Sequence, residues 1–480
     1  MSFVGLYTGL TAIRAAQMGI DVTGNNVANA ATPGYTRQRM EVVTREPYRS
    51  GNSMVGTGVD ISTIGRLRDG FLDARFRSSV ADYASSTVRA DLLGRLEQLT
   101  GEPDQGISSR MARLWDAAES WANNPADPAT RRQVLSELAS VNDTIRSTAG
   151  AWTALEADVS SRRDTQVAMV NKTLESLATL DQRIAAADPR RVGPDLLDQR
   201  DNLLDEIAEL TGADVDLDSN GRALVTLPAA DGTPVDLLNA GVRSQLVHDP
   251  VGGGLHVTAL GATPNPATDP SVAVGGELGG LQQVLTQDLP TWRTQLNEFA
   301  STFAATINAA NAAGGAEDGT GSKPGVALLD FDPADAAGTI GLVAGIGVDD
   351  LAAAEAPTDL TVPPAEHDGR NARVFADLRL TKVADDGTPD PDGASVEVRL
   401  ANLVVGLAGE VRASKATADG ARAVSVGADL ARVSEHGVSL DEEMVGLVRY
   451  QRSLEAASRV MTTVDQALDV LVNRVGIVGR

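Results

Sequence analysis

Residues 25–38 read NNVANAATPGYTRQ. Ahead of this stretch the chain is apolar at helical spacing; behind it come Arg, Val and Thr. Pro33 cannot continue a helix and pushes Thr32 out of the α region. Gly34 supplies a permissive turn position directly after it. The stretch therefore predicts a helix ending near Ala31, a turn over Thr32–Tyr35, and extended chain beyond, where Val42, Val43 and residues 54–64 read as short strands between glycine turns.

Upstream, Phe3, Leu6, Leu10, Ile13, Gln17, Ile20, Gly24, Val27 and Ala31 alternate by three and four, a heptad seam. Leu440, Met444, Leu447, Gln451, Leu454, Ser458 and Met461 repeat the alternation far downstream. The register then slips by one three-residue step, a stammer, before Val464, Leu468, Leu471 and Val475. Two heptad helices at opposite ends of a chain are expected to meet. Gln17, Gly24, Gln451 and Ser458 keep both seams weak, as suits helices that associate when many copies gather, and Leu468 is expected to be exposed in the isolated chain.

The bulk numbers agree with an assembling protein. A length of 480 residues allows about three domains. The net charge of −24 argues against a nucleic-acid partner, which calls for a basic face. Residues 1–50 carry five arginines against three carboxylates and residues 437–480 five against six, so the acidity lies in the middle. Weakly charged ends can pack against copies of themselves. There is no cysteine, hence no disulfide or thiolate site. The first residues lack the basic and unbroken apolar regions of a cleavable signal peptide. No stretch approaches the roughly 18 apolar residues of a membrane span.

Between the ends, helical patterns dominate to Gly212. Leu72, Phe76, Val80 and Tyr83 form one stripe, continued by Leu92, Leu96 and Leu99; Met111, Leu114, Trp115 and Ala118 form a second. Val141 through Ile184 keeps heptad-compatible spacing, which fits a rod-shaped bundle. Leu196, Leu203, Ile207 and Leu210 face inward on a helix ended by Gly212. From Ala213 the period falls to two, with Val215/Leu217 and Val225/Leu227 flanking the turn DSNG. Helix returns at Leu289–Ile307, near 368–379, and from about Ser395 to Ser434. The expected fold is mainly α with a β-rich insertion. Its terminal coiled-coil domain spans 1–45 and 437–480, and a helical bundle spans 46–212, 281–314 and 367–436. An acidic, exposed β-rich domain covers 213–280, and 315–366 is a loop-rich insertion.

Candidate chemistry is sparse. DVDLDSNG (214–221) offers Asp216, Asp218, Asn220 and Gly221 at calcium-loop offsets, but Leu227 stands where a bidentate Glu is required. The hairpin reading explains it without metal. GGELGG (275–280) lacks the Lys-Ser/Thr of a phosphate loop and reads as a domain-border hinge. His248, His256, His367 and His436 are scattered without ligand spacing. No serine sits in a nucleophile elbow. No catalytic, cofactor or metal residue emerges. Asp441, Glu442 and Glu443 open the last helix, where Ser439 or Asp441 caps it.

NNVANAATPGYTRQ resembles the N-terminal signature of the bacterial flagellar axial proteins: rod, hook and hook-associated proteins. VGTGVDISTIGRLRDGFLDARFR (55–77), NPADPATRRQVLSELA (124–139), PDLLDQRDNLLDEIAEL (194–210) and HGVSLDEEMVGLVRYQRSLEAASRVMTTVDQALDVL (436–471) resemble the hook-associated members at the hook–filament junction. His436 replaces a usual Ser and Leu454 a common aromatic; 213–280 and 315–366 match loosely. The resemblance implies a structural protein that lacks enzymatic activity, exported through the flagellar type III system to the cell exterior without inserting in the membrane. It implies a tubular assembly of copies, with hook protein on one side and the second hook-associated protein on the other, and an export chaperone. The assembly interface would comprise Phe3, Leu6, Leu10, Ile13, Ile20, Val27, Leu440, Met444, Leu447, Leu454, Met461, Val464, Leu468 and Leu471, with Asn29, Thr32, Pro33, Gly34 and Tyr35 forming the motif turn. A secreted hydrolase or adhesin working through 213–366, or another axial protein (hook or distal rod), is the alternative.

Overall fold

The computed structural model describes residues 4–187, 192–249, 252–317, 322–356, 359, 361, 365 and 367–473. The chain opens with α1 (Val4–Asn29), which the turn ends as its sequence requires: Gly34 takes φ +74° and the Tyr35 amide donates to Thr32 O at 3.2 Å. Strand β1 (Gln38–Thr44) then pairs antiparallel with β4 (Val59–Arg66), and β2 (Tyr48–Ser50) with β3 (Ser53–Val55) closes the far end. These strands form an arm. It lies beside α1 rather than with the bundle to which the sequence reading assigned residues 46–66: Gly58 packs on Thr8 and Thr11, and the Arg45 guanidinium sits 5.0 Å from the Tyr7 ring centroid.

The bundle follows as α2 (Gly70–Gln98), α3 (Ile107–Asn123), α4 (Pro128–Ala186) and α5 (Pro194–Thr211). Asp127 caps α4 by accepting from the Ala129 amide, with Pro128 at the first helical position. From there 59 residues run unbroken, about 88 Å of helix. Val141, Ile145, Trp152, Leu155, Val159, Val170, Leu174 and Leu177 are all buried on one face of it. On the first half of α2 the small and polar side buries instead: Asp73, Ser79, Ala81 and Ala84 are buried while Leu72, Phe76, Val80 and Tyr83 are half-exposed. Small side chains let α10 approach closely. Gly212 ends α5 at φ +65°.

A six-stranded antiparallel meander comes next, β5 (Asp214–Leu217), β6 (Ala223–Pro228), β7 (Pro234–Asn239), β8 (Val242–His248), β9 (Leu255–Ala259) and β10 (Ser271–Val272), in sequential order. Ala223, Val225 and Leu227 are buried, and Asn171 on α4 both donates to Leu246 O and accepts from the Leu246 amide at 2.8 Å. GGELGG begins α6 (Gly276–Gln283) as a close crossing. A Cβ on Gly276 would stand 2.2 Å from Glu209 O, and one on Gly280 2.5 Å from Ser85 O. A π-helical turn, Val284–Asp288, leads into α7 (Leu289–Ala312) and sets the Asp288 carboxylate against both Arg89 nitrogens at 2.8 and 2.9 Å.

Short pieces follow: β11 (Gly314–Glu317), β12 (Ser322–Pro324), β13 (Leu329–Asp330), α8 (Ala336–Thr339), β14 (Gly341–Leu342), β15 (Ala354–Glu355) and α9 (Arg370–Asp377). Phe375 of α9 meets Trp121 of α3 edge-on at 5.7 Å within the main core. Ser395 caps α10 (Val396–His436), which runs back along α2 and hands over through Gly437–Ser439 to α11 (Leu440–Asn473).

Candidate functional site

The two terminal helices pair within a single chain, antiparallel, through a face other than the apolar seam. A Cβ placed on Gly5 would meet Val464 at 3.6 Å, on Gly9 the Met461 sulfur at 2.9 Å, and on Gly19 the Tyr450 ring at 2.6 Å; Gly446 lies against Thr23, and Asn26 donates to Glu443 at 3.1 Å. Gly5, Gly9, Ala12, Ala16, Gly19, Thr23 and Asn26 are a second heptad, each one residue before the apolar one. Small side chains bring the helix axes close, so the bulky residues of α11 pack into α1 backbone. Leu6, Leu10, Ile13, Ile20 and Val27 therefore remain half-buried, with Gln17 and Gly24 exposed. Phe3 and Val475 lie outside the described residues.

On α11 the contact stripe is Glu443, Leu447, Tyr450, Leu454, Ala457, Met461, Val464 and Leu468, an uninterrupted heptad. The stammer disappears: Met444, Gln451 and Ser458 belong to a neighbouring, exposed stripe, with Leu440 and Met444 more than half exposed. Leu468 is half-buried, not exposed, and lies on the same stripe of α11 as Met461 and Val464. Leu471 is helical.

Where the pair meets the bundle, four motifs converge on one polar hub. Asn26, 1% exposed, fills all its hydrogen-bonding capacity across three elements: its amide nitrogen donates to Gln38 O (2.9 Å) and Glu443 Oε2 (3.1 Å), while its oxygen accepts from Tyr35 Oη (2.8 Å) and the Gln38 amide (3.0 Å). Asn29 holds Asn25, and Thr32 Oγ1 donates to Asn29 Oδ1 at 3.2 Å. Gly34 is obligatory, since a Cβ there would fall 2.1 Å from the Asn202 amide oxygen as well as occupy a left-handed residue. Arg37 donates to Glu443 at 2.7 Å and Glu442 at 2.6 Å, which makes the carboxylates opening α11 an intrachain anchor as well as helix-terminal charges; Ser439, the residue before α11, is their cap.

The opposite wall is α5. Its segment DQRD turns Asp198, Arg200 and Asp201 inward, all less than 7% exposed. Arg66 reaches Asp198 and Asp201 at 2.7 Å, Arg68 reaches Asp73 and Asp201 at 2.5 Å, and the Thr36 amide donates to Asp198 at 3.2 Å. Burial works against the charged form of Asp201, yet the guanidiniums of Arg68, Arg200 and Arg66 outweigh it and hold its pKa below the usual carboxylate value. Tyr35 is raised, by burial first and then by Asp195, Asp198 and Glu443. His436, 7% exposed, accepts the Asp69 amide on Nε2 at 2.7 Å and turns Nδ1 toward Asp73 at 3.8 Å. Burial lowers its pKa; Asp73 opposes that, and Arg68 and Arg432 reinforce it. Arg432 covers the Phe76 ring at 3.5 Å and bonds Asp205 at 2.7 Å, which Arg77 also holds.

This arrangement fixes direction rather than performs chemistry: it clamps the paired terminal helices to the end of the α2–α5–α10 bundle. The turn is legible in the sequence, but the hub contacts of Asn26, Glu443, Asp198, Arg200 and Asp201 are not, because buried polar partners carry no periodic apolar signal. The legible clue was the small-residue heptad ending on Asn26. DVDLDSNG forms the β5–β6 hairpin, where Asp218 accepts from the Asn220 and Arg222 amides and the Arg222 side chain, and Gly221 takes φ +74°. His256 bonds Asp269 O and His248 contacts Arg163. Among the described residues no three ligating side chains gather into a metal site, and no helix is long and apolar enough to cross a membrane.

Three family models match: flagellar hook-associated protein FlgK helical domain over residues 93–328, flagella basal body rod protein over 6–36, and flagellar basal body rod FlgEFG protein C-terminal over 432–474. The chain is 28% identical to flagellar hook-associated protein 1 of Bacillus subtilis, over all of this chain and 99% of that protein. It is 25% identical to the Salmonella typhimurium protein of the same name, over 65% of this chain and 57% of that one. The fold matches the flagellar hook junction protein FlgK from Burkholderia pseudomallei with a TM-score of 0.63 at 18% identity, covering 76% of this chain and all of that one.

Proposed function

The chain belongs to the flagellar hook-associated protein 1 family, and we propose that it joins hook to filament in the bacterial flagellum as a structural subunit. One observation carries the reading: two weakly charged terminal helices pair through glycines and are clamped by a buried polar hub to a long bundle, while their apolar stripes stay half-covered or exposed. Such stripes suit burial against other copies. In this reading the terminal unit lines the inner wall of a tube, the bundle and the β-rich sheet extend outward, and the subunit leaves the cell through the flagellar type III exporter with an export chaperone. Hook protein lies on one side and the second hook-associated protein on the other. The test is direct. Deleting the gene should leave hooks without filaments, with flagellin shed into the medium, and restoring the chain should restore filaments; normal filaments on the deletion strain would overturn the reading.

A further inference from the structure

His436, the last residue of α10, ties three segments together. Its carbonyl oxygen accepts the Arg37 amide, from the turn after α1, at 3.0 Å. Its ring accepts the Asp69 amide, at the start of α2, on Nε2 at 2.7 Å. Its own chain then turns into α11, with the Gly437 amide donating to Val433 O at 2.8 Å. A backbone N–H can only donate, so Nε2 carries no proton and the single ring proton sits on Nδ1. Nδ1 faces Asp73 Oδ1 at 3.8 Å, too far for a hydrogen bond. Among the described residues nothing hydrogen-bonds that oxygen, although it is buried.

A second proton on the ring changes both sides at once. Nε2–H then points at the Asp69 N–H, donor against donor, and that bond is lost, while Asp73 Oδ1 gains a cation beside it. Four charged groups face the ring: Asp73 and Asp69 favour the imidazolium, and Arg68 before α2 and Arg432 of α10 oppose it. Arg432 also holds Asp205 of α5, which Arg77 shares, and the Arg37 guanidinium is engaged by Glu442 and Glu443 of α11. Burial decides between these opposed charges and keeps the closed site neutral. A cleft of about 100 Å³, lined by Tyr35, Arg68, Asp205, Arg432 and His436, gives solvent a route to the ring.

We propose that His436 is a proton-operated latch at the joint between the bundle and the terminal helix pair: neutral, it holds the end of α10 to the start of α2, and protonated it lets go, so that the joint at Gly437–Ser439 opens more often. The latch belongs to the folded chain and holds whether or not copies assemble. The closed joint excludes the second proton, whereas the open joint accepts it with the ordinary histidine pKa of about 6.5. Well above that value opening is insensitive to pH; below it the open population rises up to about tenfold per pH unit. From pH 7.5 to 5.0 the increase is about 30-fold.

Hydrogen exchange of the full-length protein reads this opening directly, each rate being divided by the intrinsic rate of its amide at that pH. The reporters are peptides containing the Asp69 and Gly437 amides, and a peptide from Val141–Trp152, in the core of α4, is the reference. Between pH 7.5 and 5.0 the protection of the reporters should fall about 30-fold more than that of the reference. In His436→Gln a side-chain oxygen still accepts the Asp69 amide but does not titrate, so the extra fall should shrink to less than about threefold. Should His436→Gln fail to fold, His436→Ser, equally unable to titrate, is measured in its place. Reporter protection that falls less than about threefold in the natural chain, or as steeply in the variant as in the natural chain, overturns the proposal.

Discussion

Replacing Asn26 by alanine tests the hub most sharply. The change removes four hydrogen bonds and leaves behind the Gln38 amide and carbonyl, the Tyr35 hydroxyl and one oxygen of the buried Glu443. Three neutral bonds at about 1 kcal/mol each and one charged bond at about 2 kcal/mol give roughly 5 kcal/mol. Water entering the gap recovers part of that, so we expect α1 to lose about 3 kcal/mol of its attachment to the hub. At 1.36 kcal/mol per decade this raises the open population about 150-fold. Trypsin reads that population, because Arg37 is held by Glu442 and Glu443 while closed, and cleavage follows opening when reclosing is fast. Asn25→Ala is the control: its bonds to Tyr35 and Gln38 are long, 3.3 and 3.5 Å, and its one ordinary bond, accepted from Asn29 at 3.0 Å, stays within α1 and is half-exposed, so its effect should stay below about tenfold. An Asn26→Ala chain cut at Arg37 less than threefold faster than the natural chain would refute the reasoning.

Gly19→Leu should force α1 and α11 apart, since even a Cβ meets the Tyr450 ring at 2.6 Å; a loss of about 1–3 kcal/mol in urea titration is expected, with recovery on adding Tyr450→Ala. His436 is neutral in the fold with its pKa held down, so its contribution is complete above its unfolded pKa of about 6.5 and is lost as pH falls below it. Melting temperature should therefore drop on acidification from pH 7 to 5, and His436→Gln should flatten that slope. Leu468→Asp should leave the bundle folded by circular dichroism, loosen the far end of the helix pair, and abolish swimming, whereas Leu468→Met should swim; full motility of the Asp variant would remove this stripe from assembly.

Much of this protein was fixed by local chemistry and is legible residue by residue. Pro33 and Gly34 decide where α1 stops, Asp127 with Pro128 starts the 59-residue α4, Gly212 ends α5, and DSNG closes a hairpin, because caps and turns depend on neighbours in sequence. Heptad spacing likewise announced that helices at both ends would pair. Which face would do the pairing was left to tertiary structure. Two heptads one residue apart run along α1, and the larger side chains pointed to the wrong one; glycine and alanine won because close approach of the axes lets Tyr450 and Met461 pack on backbone. The hub was equally hidden. Asp198, Arg200 and Asp201 look like a solvated face until Arg66 and Arg68, over 100 residues earlier, fold against them. A charge is tolerable inside only beside its counter-charge, and that adjacency exists in space alone.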